Sequence, residues 1–173
     1  EINVNTTLAN MLVNRGVSTF QKAKDYFRPD LDKLHDPFLM QDMDKAVDRL
    51  IQAIAAEEKI LIYGDYDVDG TTSVALVYGY LSQFYKHLEF YIPDRYKEGY
   101  GISERGVRYA AENNFKLIIS LDCGIKAIEK VSLGKELGVD FVICDHHTPG
   151  DILPPAVAIL DPKRNDCAYP YKE

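Results

Sequence analysis

The sequence predicts an α/β protein: a doubly wound, mostly parallel sheet over residues 41–173, preceded by a helical appendage over residues 1–40. Three observations predict it. Short, continuously apolar runs alternate with longer segments of helical periodicity. Those runs lack the apolar/polar alternation of a half-exposed strand, so they belong to strands covered on both faces, as in parallel sheets. Finally, acidic and histidine residues follow directly on the apolar runs, where ligands bind in such folds.

The elements come in order. Apolar residues at helical spacing over 7–14 and 18–26 predict two short helices, with Ser18 placed to cap the second. Arg28-Pro29-Asp30 and His35-Asp36-Pro37 then break the chain. Met43, Ala46, Val47, Leu50, Ile51 and Ile54 form an i, i+3, i+4, i+7 stripe that predicts a helix over 42–58. Residues 60–63 read as the first strand, and Thr71 or Thr72 begins a helix running to about Phe84. A second strand spans 88–92 and closes at Pro93. Ser103 caps a helix that reaches Asn114, and a third strand spans 116–121. A helix over 126–137, a fourth strand over 139–144 and a short fifth over 157–160 complete the pattern.

Composition narrows the function. The 173 residues are 46% hydrophobic and 27% charged, ordinary for a globular protein. No run approaches the roughly 18 apolar residues of a membrane span, and no signal-peptide pattern opens the chain. Three cysteines without C-x-x-C spacing fit a reducing, cytoplasmic compartment. A net charge of −7 disfavours a generic polyanion-binding surface but allows a locally basic groove. The start at Glu1 rather than Met, and a last stretch without an element-end signal, read as cuts from a longer protein.

The chemistry gathers at strand ends. Asp65, Asp67 and Asp69 follow the first strand, Asp122 the third, and Asp145-His146-His147 the fourth, while Asp161 before Pro162 reads as a turn residue. Three acids so close together repel one another unless a cation sits among them. Carboxylates with imidazole and no thiolate suit Mn²⁺ or Mg²⁺. These strand-end carboxylates, with His146 assigned to the metal, are enough for two ions with Asp122 bridging. Two ions roughly 3.5–4 Å apart would hold a hydroxide and clamp a phosphate. Adjacent histidines on an extended chain point apart, so His147 is assigned to the phosphate or leaving group and, with Asp65, is a candidate catalytic residue. The aromatic, basic loop over 94–101 and the helix after it offer Arg95, Lys97, Tyr100 and Arg105 to a substrate, the tyrosine by stacking on bases.

These clusters resemble the DHH phosphoesterase superfamily, named for the triplet Asp145-His146-His147, and most closely its RecJ group of single-strand-specific exonucleases. The run over 62–71, Ile-Tyr-Gly-Asp-Tyr-Asp-Val-Asp-Gly-Thr, is similar to the first family motif, and Leu121-Asp122-Cys123-Gly124 to the second. Residues 143–147 are similar to the third motif, and the loop over 93–103 to a segment between them. The resemblance implies 5′→3′ degradation of single-stranded DNA in repair or recombination, by a metal-activated water, with Mn²⁺ or Mg²⁺ held by Asp65, Asp67, Asp69, Asp122 and His146. Single-stranded DNA and a helicase or single-strand-binding protein are the implied partners. It also implies a fourth motif, a further metal-binding Asp, with no counterpart here, and hence a fragment weakly active or inactive alone. Asp161-Pro162 stands where the family pattern expects Asn-Pro.

Rival readings are weaker. Asp67-Val68-Asp69-Gly70-Thr71 fits the D-x-D-G-T of haloacid-dehalogenase-type phosphatases, but Gly64-Asp65-Tyr66 intervenes after the strand. A phosphate loop fails because no Lys precedes Thr71. A DHH-type phosphodiesterase for short oligonucleotides or cyclic dinucleotides, or a non-catalytic scaffold of the same fold, are the alternatives that remain.

Overall fold

A computed structural model describes residues 3–172; Glu1, Ile2 and Glu173, which fall within the expected appendage and domain, lie outside them. The chain divides into a unit ending at Asp36 and another beginning at Pro37, slightly earlier than the expected boundary after residue 40.

In the first unit, α1 (Thr6–Asn14) is capped by Asn5, whose side chain accepts from the Leu8 N–H at 3.0 Å. The second helix, α2 (Phe20–Phe27), is capped by Thr19 rather than by the expected Ser18. Thr19 has the extended backbone of a cap, and its hydroxyl sits 3.2 Å from the Lys22 N–H.

The second unit is built on five parallel strands in the order β2-β1-β3-β4-β5: β1 (Lys59–Gly64), β2 (Leu88–Tyr91), β3 (Phe115–Leu121), β4 (Asp140–Cys144) and β5 (Ala158–Leu160). All five lie where the apolar runs predict. Four helices follow the expected pattern: α3 (Met43–Ala55), α4 (Val68–Leu81), α5 (Glu104–Glu112) and α6 (Ile128–Glu136). Two bounds differ instructively. Helix α3 stops before residue 58 because Glu57 takes a left-handed backbone, φ 54°. Helix α4 begins at Val68, not at Thr71 or Thr72, because Asp67 is itself the cap.

Alternation along the strands divides the core into two layers. Ile60, Ile62, Leu117 and Ile119 face α3 and α4 through Ala53, Val74 and Leu81. Leu61, Tyr63, Ile118 and Ile143 face α5 and α6 through Val107, Ala110 and Val131. Each such buried aliphatic side chain is worth roughly 1.5–3 kcal/mol. Below the sheet, the buried Arg49 of α3 reaches Glu58 and Asp140, both at 2.7 Å, and the Lys116 carbonyl at 3.3 Å, tying the helix to the strand starts.

The strand order has one functional consequence. Helix α4, between β1 and β2, covers one face, whereas α5, between β2 and β3, covers the other. The winding therefore reverses between β1 and β3, and a crevice opens beyond their carboxyl ends.

Candidate metal centre

The crevice at that reversal receives the strand-end residues. After β1 the chain turns at Asp65, which is fully buried. Its Oδ1 accepts from the Tyr66 N–H at 2.8 Å, while its Oδ2 is buried with no hydrogen-bond partner. The turn is tight because Gly70 packs on it. A Cβ at Gly70 would lie 2.5 Å from the Asp65 carbonyl oxygen and 2.6 Å from its nitrogen, so the first turn of α4 can rest against Asp65 only with glycine there. Asp67 caps α4, its Oδ1 accepting from the Gly70 N–H at 2.9 Å. Asp69 lies inside the first turn of α4 and is exposed.

After β3, Asp122 adopts a left-handed backbone, φ 60°, sparsely populated for a non-glycine residue, and its N–H extends the ladder to the Cys144 carbonyl at 2.8 Å. The bend places its carboxylate 3.0 Å from Nε2 of His146. Burial, and then the negative charge of Asp67, raise the Asp122 carboxyl above the ordinary carboxylate range. That is the electrostatic condition a cation relieves.

After β4, Asp145 organises the triplet. Burial opposes its ionisation, yet its donors win and hold its carboxyl below the usual range. Oδ2 accepts from the Ile125 N–H at 2.9 Å; Oδ1 accepts from the His146 N–H at 2.7 Å and the His147 N–H at 3.1 Å. Nδ1 of His147 also lies 2.7 Å from Oδ1, which orients the ring and leaves Nε2 for another partner. The expectation that the two histidines point apart is corrected here. Because both N–H groups bend onto one carboxylate oxygen, the chain is not extended, and the rings stand 4.7 Å apart. Asp122, His146 and His147 each offer a ligand atom within 4.8 Å of the others, among the described residues. The organising role of Asp145 has a sequence signal only in the triplet itself.

Asp161 is not a surface turn residue. It is fully buried, its Oδ1 accepts from the Lys163 N–H at 2.7 Å, and its Oδ2 has no partner. Burial raises its carboxyl, opposed by the Lys163 N–H. No feature of the sequence separates this acid from an ordinary turn.

The loop of residues 94–101 is latched to the sheet. Glu98 accepts from the Tyr91 hydroxyl at 2.8 Å, the Ser103 hydroxyl at 2.6 Å and the Asp94 N–H at 3.0 Å. The Tyr63 hydroxyl donates to the Gly101 carbonyl at 3.0 Å. Of the four expected substrate residues, Tyr100 reaches the centre and Arg95 stands one ring further out. The Tyr100 hydroxyl lies 3.4 Å from Nε2 of His147, and Arg95 stands over the Tyr66 ring, which meets Tyr100 edge-on. Burial, and then Asp65 and Asp122, push the Tyr100 hydroxyl up to about 12, keeping it a donor at neutral pH. Lys97 and Arg105 are exposed and point their charge elsewhere, Arg105 toward Asp94 and Glu98.

The residues present suit a divalent ion. A buried carboxylate oxygen without a partner, two imidazoles and further carboxylates, with no thiolate among them, are an O/N donor set of the Mn²⁺ type. No helix among the described residues is long and apolar enough to cross a membrane.

Comparison with known proteins follows the same line. Residues 59–169 match the profile of the DHH family, N-terminal domain. The chain is 44% identical over its whole length to the single-stranded-DNA-specific exonuclease RecJ of Bacillus subtilis, of which it covers 22%. It is 36% identical to RecJ of Dickeya dadantii, with 95% of this chain and 28% of that protein covered. Among solved structures, exonuclease RecJ bound to manganese superposes with a TM-score of 0.69 at 29% identity, over 77% of this chain and 34% of that one. RecJ of Thermus thermophilus in complex with Mn²⁺ also gives 0.69, at 26% identity over 93% and 22%. The chain thus spans about a quarter of the length of these curated relatives.

Proposed function

The chain belongs to the DHH family, and from that premise we propose that it is the metal-bearing core of a 5′→3′ exonuclease acting on single-stranded DNA. The observation that carries the reading is the joining of Asp122, His146 and His147 at the sheet's winding reversal, with Asp67 close enough to act on Asp122 and the Asp65 Oδ2 buried and unpartnered. In this reading Asp65, Asp67, Asp69, Asp122 and His146 hold Mn²⁺ or Mg²⁺, with two ions in the complete site. A bound ion neutralises phosphate charge and acts as a Lewis acid there.

The chain's own residues supply the rest. Asp145 fixes the tautomer of His147 by accepting a hydrogen bond from Nδ1–H, which leaves Nε2 for the phosphate and the leaving oxygen. Tyr100, held neutral, donates a hydrogen bond beside it. Arg95 is placed for a phosphate of the bound strand. Asp65, fully buried, lies where bulk water does not reach. A boundary between appendage and DHH portion at residues 36/37 belongs to the same proposal, as do delivery of the strand by a helicase or single-strand-binding protein and work in the cytoplasm.

The test uses the protein with single-stranded DNA labelled at either end. Mononucleotides should leave the 5′ label first, with Mn²⁺ and not under chelation. Attack on dinucleotides with long strands ignored would instead place the chain among phosphodiesterases of short oligonucleotides.

A further inference from the structure

Asp161 is a second buried acid with an orphan oxygen, outside the donor set. It follows β5, beside the histidine triplet: Cys144 and Leu160 are partners in register, and the Asp145 N–H donates to the Leu160 carbonyl at 3.0 Å. The residue is fully buried, its Oδ1 accepts from the Lys163 N–H at 2.7 Å, and its Oδ2 has no partner. Buried Arg164 keeps the segment from turning this oxygen out to solvent. Its Nη1 donates to the Ile159 carbonyl and to Asp42 of the α3 start, both at 2.6 Å. Burying a carboxylate oxygen without a partner is costly, so an oxygen held there is placed for one.

The surroundings identify the partner. Burial and then Asp145 push the Asp161 carboxyl up, while Lys163 and His146 pull it down, so His146 lies within electrostatic reach. His146 meets Asp122 through Nε2 at 3.0 Å; an ion shared by the two takes Nε2 and leaves the ring proton on Nδ1. Metal-ligating histidines donate that proton to a carboxylate, carbonyl or water, which fixes the ring and makes it more basic. His147 has Asp145 at 2.7 Å for this purpose, whereas Nδ1 of His146 makes no hydrogen bond among the described residues. Asp161 is not among the three residues whose ligand atoms gather within 4.8 Å, so it stands behind the donors. We propose that Asp161 is the positioning residue of His146: its Oδ2 accepts from Nδ1–H once Nε2 holds the divalent ion. His146 is exposed, and its ring can turn to make the contact. Each histidine of the triplet then has a carboxylate of its own, supplied by adjacent strand ends. The assignment rests on the metal reading above.

Asp161→Asn tests it, with Mn²⁺ as the probe and the free ion counted by electron paramagnetic resonance. The single amide oxygen goes to the Lys163 N–H, and the NH₂ that replaces Oδ2 cannot accept from His146. The Kd for Mn²⁺ should rise at least about tenfold, as loss of such a partner does. The rise should persist in ~0.5 M KCl, since a buried contact is screened far less than a surface charge. In EDTA the same variant should melt above wild type, because a buried charge without a partner has been removed. Opposite signs in the two measurements separate positioning from a structural role, which would leave the Kd alone. An unchanged Kd, or a rise that vanishes in high salt, would overturn the assignment while wild type still takes up Mn²⁺ and the metal reading stands. A variant that melts below wild type in EDTA, or does not fold, would overturn it too, by showing that Oδ2 already has a partner. Wild type that takes up no Mn²⁺ would end the metal reading and this assignment together.

Discussion

Replacing Asp65 by Asn should reverse the order of stability between metal-free and metal-loaded protein. The Asp65 side chain is fully buried, one oxygen has a backbone partner and the other has none. A charged group left partly unsatisfied costs more than a neutral amide in the same place, by about 1 kcal/mol or somewhat more. Asn keeps the volume and the acceptor for Tyr66, so metal-free Asp65→Asn should melt higher than wild type, by roughly 2–4 °C for a chain of this size. Metal inverts the comparison. At a Mn²⁺ concentration a hundred times Kd, linkage stabilises wild type by about 2.7 kcal/mol, roughly 5–11 °C, and the variant gains little of it. Circular dichroism melts of both proteins, in EDTA and in Mn²⁺, decide the matter. A variant that melts below wild type in EDTA, or that keeps the full Mn²⁺ shift, would refute the view that the orphan oxygen is a ligand.

Other expectations follow from the same structure. Gly70→Ala should cost at least about 3 kcal/mol in urea unfolding, because its Cβ would meet Asp65 main chain that cannot yield. Asp42 is held below the ordinary carboxylate range: burial opposes this, and Arg164 at 2.6 Å with Lys45 at 2.7 Å prevails. Its contribution to stability is therefore complete above the unfolded value of about 3.9 and is lost as pH falls through the lower folded value; Asp42→Asn should flatten the acid limb of a stability–pH curve. Glu98→Ala removes an acceptor used three times, so amide exchange over 94–103 should quicken at least about tenfold while the β3 amides stay protected.

The strands were legible because a strand buried on both faces needs an uninterrupted apolar run, and 60–63, 117–119 and 141–144 provide one. Their spatial order was not, since nothing in a strand's own residues states which neighbour it takes. The start of α4 was misplaced for a chemical reason: Asp67 is both a ligand type and a cap, and Gly70 looks like a break while serving as a close contact. The histidine pair was misjudged by treating a turn as a strand; the Asp145 carboxylate that curls it acts through backbone donors invisible in composition. Asp161 shows the remaining limit, because burial of a loop acid is decided by elements packed above it.

The assembly of the centre from separate strand ends also has a kinetic meaning. Asp67 and Asp122 lie more than fifty residues apart, and Asp122 meets His146 only across a completed β3–β4 crossover. Asp65 and Asp67 share one segment, but Asp122 and His146 come from two others, so a nascent or collapsed chain offers an ion only part of the donor set. Closure of such long-range parallel pairings is the slow part of folding, and it precedes the ligand constellation. A bound metal would thus act as a late lock: it would slow escape from the native state and leave the rate of reaching that state nearly unchanged.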